Sequence, residues 1–282
     1  MRNLRDKPLI QEPFTLQAGA SELREAACPT DRTGLSCPAY IGTAGWNIPS
    51  QYTAEFCGAG THLQRYASRL NAVEINSSFY RSHRRQTYTC WASSVRAEFR
   101  FAVKIPKEIT HECALLKTEE QLDRFASEVA GLGSTLGVLL VQLPPSFAFD
   151  AARANRFFEH LRSRFDRCVG VVCEPRHRSW FTLEAESMLL ISQVARVAAD
   201  PPRCTANSLP GGWRSLDYYR LHGVPQIHYS NYDERALNGI RHDLAASRAR
   251  GATTRCIFDN TAASVALGNA LAARATHPVL CI

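Results

Sequence analysis

The sequence predicts an α/β protein: a single TIM-type (β/α)8 barrel over residues 39–282, preceded by an N-terminal extension over residues 1–38. Three observations predict it. From Ala39 onward, short apolar runs rich in β-formers alternate with segments of helical period, and eight runs recur at about thirty residues. A chain of 282 residues suits one barrel, which routinely fills about 250 residues as a single domain. An open doubly wound sheet lacks support, because no G-x-G-x-x-G follows the first run and no phosphate-loop motif occurs.

The runs are AYIGT (39–43), AVEI (72–75), FRFAVK (99–104), GVLLVQL (137–143), VGVVCE (169–174), ARVAA (195–199), DYYRLH (217–222) and RCIF (255–258). Helical segments lie between and after them at 62–70, about 87–95, 119–132, 151–165, 183–193, 234–250 and 263–275. In 119–132, Leu122, Phe125, Val129 and Leu132 recur on one helical face. Strands that alternate with helices imply parallel pairing through right-handed crossovers. Pro201–Trp213 reads as a Pro/Gly-rich loop where a sixth helix would stand. Residues 1–38 mix charge, Pro and Gly with weak periodicity, so a loosely docked or partly disordered segment is expected, with a short helix around Ala20–Ala27.

Composition is ordinary for a globular chain, with 45% hydrophobic and 21% charged residues. The net charge of +7 favours anionic partners, although the excess is spread along the chain. Ten cysteines include no C-x-x-C pair, and several sit inside apolar runs, as Cys173 and Cys256 do. They read as small buried hydrophobes in a reducing compartment, so a cytoplasmic location is expected. The first residues, MRNLRDKPLIQEPF, lack an apolar core of signal-peptide length, and no run approaches the roughly 18 apolar residues of a membrane helix. No membrane partner is expected.

Barrel sites form at the C-terminal ends of strands, and the residues leaving these runs are polar. The second run exits through Glu74, Ile75 and Asn76 to Tyr80; the third ends in Lys104, with Thr110 and His111 beyond. Gln142 ends the fourth, Glu174 and Arg176 the fifth, Arg220 and His222 the seventh, Asp259 and Asn260 the eighth. Period-two alternation puts Glu74 with Asn76, Glu174 with Arg176, and Arg220 with His222 on common faces. Trp46, Tyr80 and Trp180 stand just past their strands and could stack on a sugar or a base.

These segments carry a resemblance. IGTAGW (41–46), VEINSSFYR (73–81), FRFAVKIPKEITH (99–111), LLVQLPPSF (139–147), EPRHRSWF (174–181), YRLHG (219–223) and FDN (258–260) resemble, in order, the signature segments of the YecE-like family, a domain of unknown function. The resemblance covers about residues 39–282 and implies a TIM-type barrel, likened at fold level to sugar isomerases and apurinic-site endonucleases. The chain departs from that pattern with Pro175 where the family has Phe, Asp259 where it has Asn, and Ala44 where it tends to have Ser.

The function expected is binding of a small anionic or phosphorylated, sugar-like ligand at the C-terminal face, with acid–base or hydrolytic chemistry of a hydrolase or isomerase. Glu74, Glu174 and His222 are the candidate catalytic groups. Lys104, Arg176 and Arg220 are candidate anion contacts, and Trp46, Asn76, Tyr80, Gln142, Trp180, Asp259 and Asn260 are candidate ligand contacts. Internal ion pairs that merely fill the barrel top are the competing reading of the same charges. No cofactor is expected. A divalent metal on His111, His177 or His222 with Glu74, Glu174, Asp200 or Asp259 is disfavoured by the interleaved cations. A nucleic-acid binder or nuclease and a non-catalytic scaffold are the alternatives.

Overall fold

The computed structural model describes residues 39–56, 58–202 and 209–275. The N-terminal extension and its expected short helix lie outside the described residues.

Ten strands form one sheet: β1 (Tyr40–Ala44), β2 (Ala72–Ile75), β3 (Arg100–Lys104), β4 (Leu136–Gln142), β5 (Gly170–Glu174), β6 (Val194–Arg196), β7 (Ala198–Asp200), β8 (Gly211–Gly212), β9 (Leu216–Leu221) and β10 (Thr253–Phe258). Their order is β7-β9-β10-β1-β2-β3-β4-β5-β6-β8, and every pairing is parallel except that of β8 with β6. The predicted run 195–199 is two strands rather than one. Val197 separates β6, which pairs with β5, from β7, which pairs with β9. The Val197 N–H donates to Cys173 O at 2.8 Å, so one backbone passes from the first neighbour to the second. The sheet is thereby a nearly closed, barrel-like cylinder.

The helices are α1 (His62–Ala67), α2 (Ser77–Tyr80), α3 (Arg85–Ser93), α4 (Glu119–Val129), α5 (Ala151–Arg162), α6 (Leu183–Ile191), α7 (Glu234–Ala249) and α8 (Ala266–Ala275). Their starts are chemically marked. Thr61 and Gln64 form a capping box on α1, Asp150 accepts from the Arg153 N–H at α5, and Asp233 accepts from the Ala236 N–H at α7. Among the described residues, no helix is long and apolar enough to cross a membrane.

Two apolar layers follow from strand alternation. Val73, Ile75, Phe101, Val103, Leu139, Val141, Val171, Cys173, Tyr219, Leu221 and Phe258 point outward and pack under the helices with Leu122, Phe125, Phe157 and Leu161. Ala102, Val138, Leu140, Val172, Ala195, Val197, Leu216, Tyr218 and Ile257 form a separate inner cluster. Strands apolar on both faces are characteristic of parallel sheets covered by helices.

Candidate functional site

The inner cluster dictates the site. Two residues further along each strand, the same inward face carries polar groups: Ala102 is followed by Lys104, Leu140 by Gln142, Val172 by Glu174, Tyr218 by Arg220, and Ile257 by Asp259. Glu74 is paired in register with Ala44 and Ala102, and its carboxylate reaches up to Arg220. The barrel interior therefore changes from apolar to charged within one pleat repeat, at the C-terminal end.

Arg220 is the centre of that layer and is 1% exposed. Its Nε lies 3.1 and 3.2 Å from the two Glu74 oxygens, and its Nη2 lies 2.8 Å from Glu74 Oε1. Nη2 also meets Asp259 Oδ2 at 2.9 Å, and Nη1 meets Glu174 Oε2 at 3.0 Å. Gln142 Oε1 accepts from Nη1 at 3.5 Å. One guanidinium thus joins carboxylates from three other strands. Tyr218 adds an O–H donor to Glu74 Oε2 at 2.7 Å.

His222 bridges two of these carboxylates. Its Nδ1 is 3.0 Å from Asp259 Oδ2 and its Nε2 is 3.1 Å from Glu174 Oε1. Ionised carboxylates only accept, so this geometry favours the ring with both nitrogens protonated. Burial disfavours that charge, but the hydrogen bonds to Asp259 and Glu174 and the charge of Glu174 outweigh it and raise the His222 pKa. Burial likewise pushes against the Glu174 carboxylate, yet Arg220, His222 and Arg176 hold it well below the usual carboxyl range. Asp259 is lowered by Arg220 and His222 against the same burial penalty.

Lys104 is placed differently. It is 6% exposed, yet among the described residues no carboxylate comes within ion-pair reach and no acceptor meets its ammonium. Its one marked contact is the face of Phe79, 3.9 Å from Nζ to the ring centroid. Burial, helped by repulsion from Arg220, lowers its pKa to about 8 against the pull of Glu74, Glu174 and Asp259. Ser78 donates to Lys104 O at 2.7 Å and fixes α2 against this strand end. Arg176 is half-committed: its Nη2 donates to Glu174 Oε1 at 3.0 Å, while its Nε is buried without a partner.

A family model described as "Protein of unknown function DUF72" matches residues 40–277. The chain belongs to the DUF72 family. It is similar to the UPF0759 protein YecE of Escherichia coli K12, at 28% identity over 152 residues, 54% of this chain and 53% of YecE. The match thus spans about half the length of that relative. The UPF0759 protein YunF of Bacillus subtilis is 26% identical over 200 residues, 65% of this chain and 70% of YunF. Among solved structures, a DUF72 protein from Enterococcus faecalis superposes with a TM-score of 0.69 at 20% identity, covering 84% of this chain and 94% of that one. A Thermotoga maritima DUF72 protein gives 0.68 at 22% identity, covering 84% and 97%. At such identities the likeness is one of fold.

In this DUF72 barrel, Glu74, Lys104, Gln142, Glu174, Arg176, Arg220, His222 and Asp259 converge at one end. Other predicted contacts stand elsewhere. Asn76 does not continue the strand: its φ of −86° and ψ of −21° are helical, it precedes α2, and its Oδ1 is buried without a partner. It lines a recess of about 430 Å3 with Trp46, Asn47, His62 and Ser77, beside rather than inside the charged layer. Tyr80 is exposed and packs edge-on to Phe79. Trp180 offers no face to a ligand: it is fully buried against Phe147 and Phe149, and its indole N–H donates to Phe147 O at 3.0 Å. Asn260 is also buried and turns away, donating to Ser230 O and Asn269 Oδ1. His177 faces Ser179 at the start of a short 3-10 turn.

Sequence reasoning missed three participants. Tyr218 shares the face of Arg220 and His222 by simple alternation, so the signal was present in DYYRLH. Phe79 stood in the quoted SSFY run without a role. His228 follows β9 in a loop with no period, and its Nδ1 lies 3.0 Å from Asp259 O and 3.8 Å from Asp259 Oδ2. His222, His228 and Asp259 are near enough to share a metal ion. Their chemistry does not suit one. Both nitrogens of His222 already face carboxylates, and the Asp259 oxygen already meets Arg220 and His222.

Proposed function

We propose that the C-terminal mouth of this barrel binds a small anionic ligand, a phosphorylated or carboxylated compound of sugar size. The eight-stranded reading, with 194–200 counted as one bent strand and β8 as an accessory, belongs to this proposal. It puts the ligand where (β/α)8 barrels hold theirs. The observation that carries the reading is Lys104, a largely buried side chain whose ammonium meets no ion-pair or hydrogen-bond partner among the described residues. Unpaired buried charges are expensive, and such groups are normally matched by a partner. Arg176 adds free donors on the same rim. The three carboxylates of the layer face Arg220, Arg176, Lys104 and His222, so their charge is offset, which disfavours a dication. Any proton for a bound ligand would come from His222 only by exchange with Glu174 or Asp259, since both of its ring nitrogens face those carboxylates. Glu74 and Glu174 are already held by Arg220 and serve that proton indirectly.

Calorimetric titration of the full chain with inorganic phosphate and small carboxylates tests the reading. The wild type should bind at least one of them, and Lys104→Ala with Arg176→Ala should weaken it at least about tenfold, since each charge-assisted contact is worth about 1.5–3 kcal/mol. Equal binding by the double variant, or none by the wild type, would sink it. Binding of an oligonucleotide that weakens steeply with salt would favour the nucleic-acid alternative instead.

A further inference from the structure

Four of the 33 basic residues of this chain are lysine: Lys7, Lys104, Lys107 and Lys117. The chain meets nearly every need for positive charge with arginine, yet a lysine ends β3 inside the barrel. The two side chains differ in one chemical respect that matters there. Arginine stays protonated at all accessible pH, whereas a lysine amine can shed its proton and become a nucleophile. Every other buried cation of the layer is locked in the charged state by carboxylates, as Arg220 is by Glu74, Glu174 and Asp259. Lys104 has no such lock. The Phe79 face holds its Nζ in place at 3.9 Å but offers no acceptor that would fix the proton.

We infer that the Lys104 amine captures a carbonyl compound as an imine at the barrel mouth. The inference rests on the anionic-ligand reading for the kind of carbonyl compound, one that also carries a carboxylate or phosphate to meet Arg176. The uncharged Nζ attacks the carbonyl carbon and forms the C–N bond, while the π pair of the C=O moves to oxygen. That oxygen takes up a proton and the nitrogen gives one to water or to His111. His111 packs edge-on to the same Phe79 ring with centroids 5.1 Å apart. Its pKa is lowered, first by burial and then by the charges of Lys104, Lys107 and Arg176, so it is a neutral base. Loss of water breaks the C–O bond and leaves C=N. The sum is amine plus carbonyl giving imine plus water, with no change of oxidation state. A pKa of about 8 supplies an appreciable share of free amine near neutrality.

Reductive trapping decides it. The full chain is incubated with pyruvate or glyceraldehyde 3-phosphate in sodium cyanoborohydride, whose hydride converts C=N into a stable secondary amine. Peptide mass mapping then reads all four lysines. Lys104 should carry about tenfold or more adduct than Lys107, whose side chain is 51% exposed and serves as the internal reference. Lys104→Arg, checked for folding by circular dichroism, should lose the adduct at that position alone. Labelling of Lys104 no greater than that of Lys107 overturns the inference, and the wild-type map suffices for this if the variant does not fold. Phosphate titration of the same preparation separates the two readings. Phosphate binding without adduct leaves the anion site standing and removes the imine, whereas adduct without phosphate binding does the reverse.

Discussion

The mouth of the barrel has two sides. One, built by β2, β5, β9 and β10, gathers Arg220, His222, Glu74, Glu174 and Asp259 into a network in which each charge meets an opposite one. The other, built by β3 and α2, holds Lys104 on Phe79, with the unpartnered Oδ1 of Asn76 near by in sequence on the β2–α2 turn. The side chains on both sides are largely buried. Geometry explains the contrast. Three inward carboxylates reach one guanidinium, and the fourth position on the ring, Lys104, is left without one. A completed network resists change and holds shape, while an incomplete one has capacity for something else.

The largest effect should come from breaking the completed side. Arg220→Ala leaves the buried Glu74 carboxylate without its cation and takes one partner each from Glu174 and Asp259, and should lower the unfolding free energy by about 3–5 kcal/mol in urea titration. A loss under about 1 kcal/mol would show that the network holds little. Tyr218→Phe removes one donor to the Glu74 carboxylate and should cost about 1.5–3 kcal/mol by the same measurement.

The pH dependence sharpens the contrast further. Glu174 and Asp259 have lowered folded-state pKa values, so their stabilisation is present above the ordinary carboxyl range near 4 and is lost as pH falls through the folded values. His222 has a raised pKa, so its contribution is present below the unfolded value near 6.5 and is lost as pH rises through the folded one. Each tenfold gain in proton affinity is worth about 1.4 kcal/mol. His222→Gln should therefore flatten the fall in stability on the alkaline side and also shrink the acid limb in part, because His222 helps Arg220 hold Glu174 and Asp259 low. The smallest effect should come from the other side of the mouth. Lys104→Met removes a buried charge with no ion-pair partner and should change stability by less than about 1 kcal/mol, in the stabilising direction if at all. A large loss would mean that Lys104 belongs to the network after all.

Much of the barrel was legible in the sequence. Seven of the eight apolar runs fall on single strands within a residue or two, because parallel strands covered on both faces leave a continuous apolar signature. The eighth, 195–199, hides a change of partner at Val197 that hydrophobicity cannot express. β8 is a pair of glycines, with no side chains to form a pattern. At the site, alternation correctly brings Arg220 with His222 and Glu174 with Arg176, since both pairs stay on one strand line. It fails for Asn76, because the backbone turns helical immediately after β2. It fails for Trp180 because a large ring past a strand reads the same whether it caps a core or faces a ligand. Asp259, a departure from the family pattern in the sequence, proves to be a hub that Arg220, His222 and His228 share.

The partners of Arg220 come from far along the chain: Glu74 is 146 residues away and Glu174 is 46. No local segment can assemble this layer. Contacts at such separations require the intervening chain to be ordered first, and they form slowly for that reason. The charged layer therefore exists only after the ends of the sheet have met. Its appearance in a refolding experiment, followed for example through hydrogen exchange at the strand ends, would time the closure of the cylinder itself.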